Sequence, residues 1–231
     1  MKLSIIFPVY KDGELIDRAI SHIKSIASDF DYELIFSVAE NDDPLRHSSA
    51  ENIKIISAPK GRASQMNAGA AVASGDVLLF LHIDTRLPET AFFDIQKTIE
   101  DKGFSVGAFS LKFASKRISL KLIAAITTIR SKLNKMPYGD QSIFIKRDVF
   151  NALGGFFDEP LLEDVLLMEL IKRAGLKVRI LSSVVITSAR KYELNGIWKT
   201  VYSNRKIIFL FKMGVSIKTL ARMYYRRKLN E

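Results

Sequence analysis

Apolar runs of strand length alternate with segments of helical periodicity along most of this chain. The short apolar runs predict strands over residues 3–9, 32–38, 53–57, 77–81, 105–113, 142–145 and 177–186. Helical spacing predicts helices over residues 14–27, 90–101, 115–136, 165–174 and 195–228, the last broken near Gly214. A further helix of small residues closes at Gly75, and its small side chains predict a close approach to the sheet or to a ligand. Strands and helices that alternate through short loops are typical of a doubly wound, mostly parallel α/β sheet.

The strand at residues 77–81 organises the chain, because its five successive apolar residues predict burial on both faces of a sheet. The run ends on His82 and Asp84, and Pro88 prevents its continuation. Ligands of open α/β sheets bind outside the carboxyl ends of the strands, so these two side chains are candidates for metal or phosphate binding. The alternatives are that Asp84 caps the next helix and that His82 is an ordinary buried histidine.

The composition is that of a globular protein, with 48% of the 231 residues hydrophobic and 26% charged. The chain contains no cysteine, which excludes disulfides, thiolate zinc sites and cysteine nucleophiles. Its first segment is too short and strand-like for a secretory signal, and no apolar run approaches the ~18 residues of a spanning helix. We therefore expect a cytoplasmic protein that is soluble or peripheral to the membrane.

The net charge of +10 is distributed unevenly. Residues 190–231 contain 11 Lys and Arg against two Glu, a charge of +9, which leaves +1 for residues 1–189. Residues 112–135 contain seven Lys and Arg and no acid, and their helix has one apolar stripe: Ile118, Leu122, Ile126, Ile129 and Leu133. Such surfaces favour an anionic partner such as a membrane face. The alternative is a solvated basic face, with residues 207–211 packed against the core.

Several common nucleotide-binding and hydrolase motifs are absent. The sequence has no G-x-G-x-x-G after the first strand, no G-x-x-x-x-G-K-[ST], no H-E-x-x-H and no G-x-S-x-G. These absences argue against Rossmann dehydrogenases, P-loop NTPases, zincin metalloproteases and α/β-hydrolases. We therefore expect any bound nucleotide to be held without a glycine-rich phosphate cradle.

Carboxylates follow several predicted strands or open a helix: Glu40, Asp42, Asp43, Asp84, Glu163 and Asp164. A diphosphate needs a cation to neutralise it, and Mg²⁺ or Mn²⁺ takes one or two carboxylates together with phosphate oxygens. Asp84 and His82, which is two residues earlier and expected on the same side of the strand, are the predicted ligands of that cation. Asp164 is either a helix cap or a general base. Lys60 and Arg62 are either phosphate contacts or part of a solvated basic loop.

Four segments of the sequence resemble glycosyltransferase family 2, which has the GT-A fold. They are Ile-Ile-Phe-Pro-Val-Tyr at residues 5–10, Gly-Arg-Ala-Ser-Gln-Met-Asn-Ala-Gly at 61–69, Leu-His-Ile-Asp-Thr at 81–85 and Leu-Glu-Asp at 162–164. The chain most resembles a small group of short bacterial enzymes with a His-x-Asp-Thr motif after the fourth strand. The resemblance extends from residue 3 to about residue 225.

This resemblance implies an inverting, metal-dependent transfer of a sugar from a nucleotide-diphosphate donor to an acceptor hydroxyl, for which a lipid-linked molecule is a candidate. It implies that Asp164 is the catalytic base and that Asp84, with His82, holds Mg²⁺ or Mn²⁺. The residues implied to hold the nucleotide are Pro8, Tyr10, Glu14, Glu40, Asp42, Arg62 and Asn67. Those implied on the acceptor side are Asp140, Gln141 and Glu163.

The sequence departs from the family pattern at three places. His82 stands where the family has the first acid of Asp-x-Asp, which changes the metal site. Glu-Asn-Asp-Asp-Pro at residues 40–44 replaces the usual Asp-Gly-Ser-Thr-Asp, which leaves open the acid that meets the nucleotide base. The Gln-x-x-Arg-Trp of processive enzymes is missing, so we expect single transfers and no polymer.

We expect residues 1–189 to form the catalytic domain, with a nucleotide-sugar half at 1–110 and an acceptor half at 111–189. Residues 190–231 are expected to form a basic helical tail packed on or beside that domain. The alternative function is a basic module that binds membranes or nucleic acid without catalysis. The enzyme hypothesis requires no nucleic acid.

Overall fold

The computed structural model of the protein describes residues 1–27, 29–40, 42 and 51–229, with 226–229 described by their backbone alone. The strands in this part of the chain are β1 (Lys2–Val9), β2 (Asp31–Ala39), β3 (Ile53–Ala58), β4 (Val77–Phe80), β5 (Val106–Phe113), β6 (Phe144–Lys146) and β7 (Val178–Thr187). They form one sheet in the order β3-β2-β1-β4-β6-β5-β7. Strand β6 is antiparallel to β4 and β5, and the other neighbours pair in parallel. The predicted doubly wound, mostly parallel sheet is confirmed.

The helices of the described residues are α1 (Ile16–Ala27), α2 (Arg62–Ala71), α3 (Ala91–Glu100), α4 (Ile118–Asn134), α5 (Arg147–Ala152), α6 (Glu163–Arg173), α7 (Arg190–Asn195), α8 (Ile197–Lys212) and α9 (Ile217–Leu229). Each predicted helix is present within a few residues of its expected bounds. Helix α5 was not predicted, because its six residues are too few to show a periodicity. Helix α7 was not predicted either, because the predicted tail helix begins at residue 195. The predicted break near Gly214 is confirmed.

Helices cover both faces of the sheet, which explains why its central strands are mostly apolar. Helices α1, α3 and α4 pack on one face, and α2, α5 and α6 pack on the other. Along β1, Ile5 and Phe7 face the first core whereas Ile6 faces the second, because side chains alternate along a strand. Phe7 stacks on Phe36 of the neighbouring β2, with ring centroids 4.7 Å apart.

Strand β4 ends earlier than its sequence predicts. The strand stops at Phe80, and the backbone N–H of Thr85 donates to the carbonyl oxygen of His82 at 3.0 Å, which closes a turn. His82 and Asp84 therefore lie in that turn, and the expectation that they share one side of a strand is wrong. The turn is fixed to β7, because Thr85 Oγ1 donates to Thr187 Oγ1 at 2.9 Å.

The small residues of α2 allow it to lie very close to the sheet, as predicted. A Cβ atom on Gly69 would approach Ile6 Cγ2 to 2.5 Å, a distance that real Cβ atoms do not reach. Gln65 fixes the start of α2, because its Nε2 donates to the carbonyl oxygens of Val9 at 2.7 Å and Ser37 at 2.6 Å. The loop before α2 is thereby held against the carboxyl ends of β1 and β2.

The C-terminal helices pack against the start of α6. Ile207 of α8 and Leu220 of α9 are buried in a small cluster with Leu162 and Val165. Residues 207–211 are thus partly packed on the rest of the protein, although Phe209 remains 62% exposed. Within the described residues, none of the helices combines the length and the apolar character that a bilayer crossing requires.

Candidate functional site

The carboxyl ends of the parallel strands meet the starts of α6 and α7 in one hollow. Because β6 is antiparallel, the turn that precedes it, Gly139–Gln141, also lies at this edge of the sheet. A Cβ atom on Gly139 would lie 3.4 Å from Asp164 Oδ2 and 3.5 Å from His82 Nε2. The predicted base and the predicted metal-binding turn therefore flank a single backbone position. Glycine at 139 leaves the space between them open.

Two backbone N–H groups orient the carboxylate of Asp164. Its Oδ2 accepts from Gly139 N–H at 2.7 Å, and its Oδ1 accepts from Val165 N–H at 2.8 Å. The N-cap of α6 is Leu162, so Asp164 lies inside the first turn of the helix and does not cap it. Leu162 has φ = 67°, a left-handed conformation that costs a leucine energy and that recurs near functional sites.

Asp140 is a second acid beside Asp164. Its Oδ1 is buried, and among the described residues no group donates a hydrogen bond to it. Burial and the neighbouring charge of Asp164 raise the pKa of Asp140 to about 6, although Arg130 and Lys191 oppose the shift. The site therefore contains an acid whose proton is exchanged close to neutral pH.

Glu163 and Gln141, both predicted on the acceptor side, are buried with different partners. Glu163 is buried, its Oε1 lies 3.5 Å from Arg62 Nη1, and burial followed by the charge of Asp164 raises its pKa. Gln141 is completely buried, and its Nε2 donates to Phe109 O and Ser131 Oγ, both at 2.9 Å. Gln141 therefore holds the turn that carries Asp140.

Arg62, Arg190 and Lys191 are further cations beside the acids of the hollow, in addition to Arg130. Arg190, at the start of α7, places Nη2 at 2.9 and 3.2 Å from the two carboxylate oxygens of Asp12, and its charge also acts on Asp84. The charge of Lys191 lowers the pKa values of His82 and Asp140. The charge of Arg62 lowers the pKa of both Asp84 and Asp140. Arg62 therefore lies between the turn after β4 and the turn that precedes β6.

The turn after β4 presents one carboxylate and one imidazole. Loss of hydration, followed by repulsion from Asp12, raises the pKa of Asp84, although the residue itself is exposed. Burial, Arg62 and Lys191 lower the pKa of His82 to about 3, so its imidazole is neutral at physiological pH. A neutral imidazole is the form that binds a metal.

These residues fit a divalent cation that is shared with a diphosphate. The described residues contain no cluster of three or more His, Asp and Glu side chains that could enclose an ion by itself. Mg²⁺ at a nucleotide site commonly takes one or two protein carboxylates and the phosphate oxygens. Desolvation and the charge of Asp12 raise the pKa of Asp84 although Arg190 and Arg62 oppose the shift, so a bound cation would further stabilise its carboxylate.

The residues predicted to hold the nucleotide lie around the ends of β1 and β2. Tyr10 is 40% exposed, and Lys60 Nζ lies 4.4 Å from its ring centroid. Asp42 Oδ2 accepts from Lys11 N–H. Pro8 lies within β1, Glu14 in a short 3-10 turn after it, and Glu40 directly after β2. Asp43 lies outside the described residues.

Asn67 forms a structural contact. Its Nδ2 donates to Phe156 O at 2.8 Å, and its Oδ1 accepts from Phe156 N–H at 2.9 Å. Both ends of the amide are therefore bonded to the Gly-Gly-Phe turn of residues 154–156. We leave Asn67 out of the proposed nucleotide site for this reason.

The family model described as Glycosyl transferase family 2 matches residues 4–156, about two thirds of the chain. The chain belongs to glycosyl transferase family 2. No curated protein sequence matches it significantly.

Solved glycosyltransferase structures share the fold of this family 2 member. S. aureus TarS 1–349 matches with a TM-score of 0.62 and 16% identity, over 82% of this chain and 61% of that chain. The structure of TarS 1–349 in complex with UDP matches with a TM-score of 0.63 and 17% identity, over 81% of this chain and 60% of that chain. A mutant Drosophila β-1,4-galactosyltransferase 7, in complex with manganese, UDP-Gal and xylobiose, matches with a TM-score of 0.50 and 13% identity. The match covers 78% of this chain and 64% of that chain. These identities establish the GT-A fold alone, and the chain spans about three fifths of the length of these proteins.

Sequence reasoning missed the contribution of α7 to the site of this family 2 member. Arg190 and Lys191 were counted as part of a basic tail, and the chain was divided at residue 189. Asp12 and Arg190 are 178 residues apart in sequence, and no local pattern connects them. The position of α7 directly after a predicted strand was the only available signal, because strand ends converge at one edge of a parallel sheet.

Proposed function

We propose that this family 2 protein is an inverting glycosyltransferase that moves a sugar from a nucleoside-diphosphate donor to an acceptor hydroxyl, with Asp164 as the base. The observation that carries the proposal is the position of Gly139, flanked by Asp164 Oδ2 and His82 Nε2. A base thereby faces the turn that would hold the donor diphosphate. A single displacement requires those two groups on opposite sides of the anomeric carbon.

The donor is proposed to be a uridine-diphosphate sugar. Two of the structural neighbours were crystallised with UDP or UDP-Gal, which supports this class of nucleotide. Tyr10 and Asp42 lie at the adjoining ends of β1 and β2, where a parallel sheet places a nucleotide. Lys60 and Arg62 lie at the start of α2, close to that position.

The chemistry divides between the two sides of the hollow. Asp164 takes the proton of the acceptor hydroxyl while the oxygen of that hydroxyl forms a bond to the anomeric carbon of the sugar. The bond from that carbon to the diphosphate oxygen breaks, and the diphosphate leaves with the electron pair. Arg62, Arg190 and Lys191 stabilise the negative charge of the leaving diphosphate.

A divalent cation, Mg²⁺ or Mn²⁺, would add Lewis-acid stabilisation of the same leaving group when bound at Asp84 and His82. One neighbour was crystallised with manganese, which supports this choice of ion. Asp140 and Glu163 border Asp164 and are proposed to contact the acceptor, while Gln141 keeps their turn in place.

We also propose a division of labour along the chain. Residues 1–110 bind the donor and residues 111–189 bind the acceptor, while the helices after residue 189 add Arg190 and Lys191 to the donor side. A lipid-linked acceptor on the cytoplasmic face of a membrane fits the positive charge of residues 112–135.

The test is the substitution Asp164→Asn, which keeps the shape of the side chain and removes the base. We expect sugar transfer to fall by about 10³-fold, because general bases typically contribute 10²–10⁴-fold. UDP should still raise the melting temperature of the variant as it does for the wild type, because the donor contacts are unchanged.

The matched control is Asp148→Asn. Asp148 lies in the first turn of α5 and bonds the next backbone N–H at 2.7 Å, the same local geometry that Asp164 has with Val165. It is exposed and outside the hollow, so its variant should retain full transfer. Full turnover by Asp164→Asn would disprove the assignment of the base.

A further inference from the structure

Helix α4 carries its apolar stripe on the outside of the protein. The exposed fractions are 81% for Ile118, 53% for Leu122, 43% for Ile126, 57% for Ile129 and 76% for Leu133. We call these five residues the α4 stripe. A helix packed on a sheet normally turns its apolar side inward. A contiguous apolar surface left outside a folded protein marks an interaction site.

The inner side of α4 explains why the stripe remains uncovered. Leu120, Ala124 and Ser131 are buried against the sheet, so the helix is already packed without the stripe. The hydroxyl of Ser131 accepts from Gln141 Nε2, which fixes the rotation of the helix about its axis. The stripe therefore cannot turn inward without breaking these contacts.

The charges that α4 and its flanking residues carry are all positive. Lys116, Arg117, Lys121, Lys132 and Lys135 are exposed beside the stripe, and no acid occurs between residues 112 and 135. An apolar strip with a basic rim matches a bilayer with anionic head groups, where apolar side chains enter the interface and the cations contact phosphates. Lysine and arginine at such a surface each add about fivefold to binding.

Helix α8 repeats this composition. Its large exposed residues are Trp198, Tyr202 and Phe209, followed by Met213 directly after the helix, and residues 194–230 contain no acid. Trp and Tyr are enriched at membrane interfaces. Helix α7, which leads into α8, contacts the segment that leads into α4, because Ser115 Oγ donates to Glu193 Oε1 at 3.2 Å.

The C-terminal end of α4 leads directly to the acceptor side of the hollow. The guanidinium of Arg130 lies 3.5 Å from the ring centroid of Tyr138, and the next residues form the turn with Gly139 and Asp140. Gly139 in turn donates to Asp164. A surface bound along the α4 stripe would therefore lie beside the place where the acceptor hydroxyl meets the base.

We propose that the α4 stripe and its basic rim dock this protein on an anionic lipid bilayer, and that the acceptor is a hydroxyl carried by a membrane-anchored molecule. The docking rests on the exposed helix alone. The identity of the acceptor rests on the proposed function as well. The two parts can therefore fail separately.

The test is co-sedimentation of the full chain with vesicles of phosphatidylcholine, or of equal parts phosphatidylcholine and phosphatidylglycerol, at low and high salt. We expect binding to the anionic vesicles alone, and weaker binding at high salt. A stripe variant, Ile118→Ser with Ile129→Ser and Leu133→Ser, should bind at least ~10-fold more weakly. A rim variant, Lys121→Glu with Lys132→Glu, should show a similar loss.

Matched controls carry the same changes elsewhere. Phe93→Ser removes an apolar side chain on α3 that is 58% exposed, and Lys172→Glu with Lys177→Glu reverses two exposed charges near the end of α6. Both controls should bind vesicles as the wild type does. The substituted residues are exposed, so circular dichroism and melting temperature should confirm that every variant is folded.

Three outcomes would overturn the docking: no binding of the wild type to anionic vesicles at low salt, undiminished binding of the stripe variant, or a dimer that the stripe variant abolishes while vesicles do not bind. The last result would assign the stripe to a second copy of the chain. A separate UDP thermal-shift measurement tests the donor site. Vesicle binding without any response to UDP would keep the docking and overturn the lipid-linked acceptor.

Discussion

Two buried acids at opposite edges of the sheet have opposite environments. At the edge where the parallel strands begin, Glu33 of β2 accepts from Ser4 Oγ at 2.7 Å and from Ser74 N–H at 2.6 Å, and its other oxygen lies 2.7 Å from Lys54 Nζ. Burial alone would raise the pKa of Glu33, but Lys54, Ser74 and Ser4 outweigh it and hold the pKa at about 2.

At the edge where the parallel strands end, the effects that raise the pKa of Asp140 outweigh those that lower it. Its Oδ1 receives no hydrogen bond from the described residues, and burial together with Asp164 raises its pKa to about 6. The cations near it, Arg130, Lys191 and Arg62, lower that pKa without restoring the ordinary value.

The difference separates stability from function in this fold. The Glu33 cluster meets its own hydrogen-bonding and charge requirements, so it ties β1, β2 and the start of β4 together. The Asp140 side leaves acids crowded and cations only partly paired, which a folded protein tolerates where a ligand completes the balance. Substitutions should therefore destabilise the first edge and impair ligand binding or catalysis at the second.

The largest expected effect on folding is that of Glu33→Ala. It leaves Ser4, Ser74 and Lys54 without their shared acceptor, so we expect a loss of roughly 3 kcal/mol in the free energy of unfolding at neutral pH. Urea denaturation measures this loss. Asp31→Ala, an exposed position in the same strand, should change stability by less than about 0.5 kcal/mol.

The pH dependence of this loss has a defined sign. Because the folded pKa of Glu33 is depressed, its contribution is present above the unfolded value of 4.5 and is lost as the pH falls towards about 2. The wild type and Glu33→Ala should therefore converge in stability at the acid end of that window. An equal difference at all pH values would contradict the cluster as described.

Asp140→Asn should act in the opposite direction and more weakly. It removes a buried charge beside Asp164, so we expect the free energy of unfolding at neutral pH to rise by about 2 kcal/mol. A raised folded pKa costs stability as the pH rises from 3.8 to about 6, so the gain should appear above pH 6 and vanish below 3.8. Urea denaturation of the wild type and the variant above pH 6 and below pH 3.8 measures this gain. A loss of stability at neutral pH would contradict the comparison.

The smallest expected effect is that of Arg190→Gln on nucleotide affinity. Arg190 makes an exposed ion pair with Asp12, which adds little to stability, so its charge should serve the diphosphate. We expect about tenfold weaker binding of UDP and unchanged binding of uridine, measured by calorimetry. Arg173→Gln, which breaks a comparable exposed pair with Glu169 on α6, is the control. An equal effect on uridine would place Arg190 elsewhere in the site.

The order and type of the long elements could be predicted from the sequence. The mostly apolar runs of β1, β2 and β4 result from burial on both faces, and burial of that kind is visible in the order of residues alone. The small residues of α2 likewise indicated its close approach to the sheet, which Gly69 confirms. The turn of His82 and Asp84 was placed correctly after β4, but its shape was not.

The partners of the site residues could not be predicted. Asn67 and Gln141 carry amides that suit a ligand equally well, and only the folded chain shows them bonded to Phe156 and to Phe109 and Ser131. An amide satisfies whichever partner lies nearest, and that partner is distant in sequence. The antiparallel direction of β6, which brings Asp140 beside Asp164, was also invisible, because three residues carry no sign of direction.

The sequence by itself determined which residues share a strand or a helix face, because periodicity follows from backbone geometry. It thus defined the α4 stripe, the strand-end acids and the family. The tertiary structure alone decided which faces are covered and which charges meet: the stripe lies outside, and Arg190 reaches Asp12 across 178 residues. Periodicity records what side chains have in common along one element, whereas exposure and pairing depend on what the rest of the chain places against it.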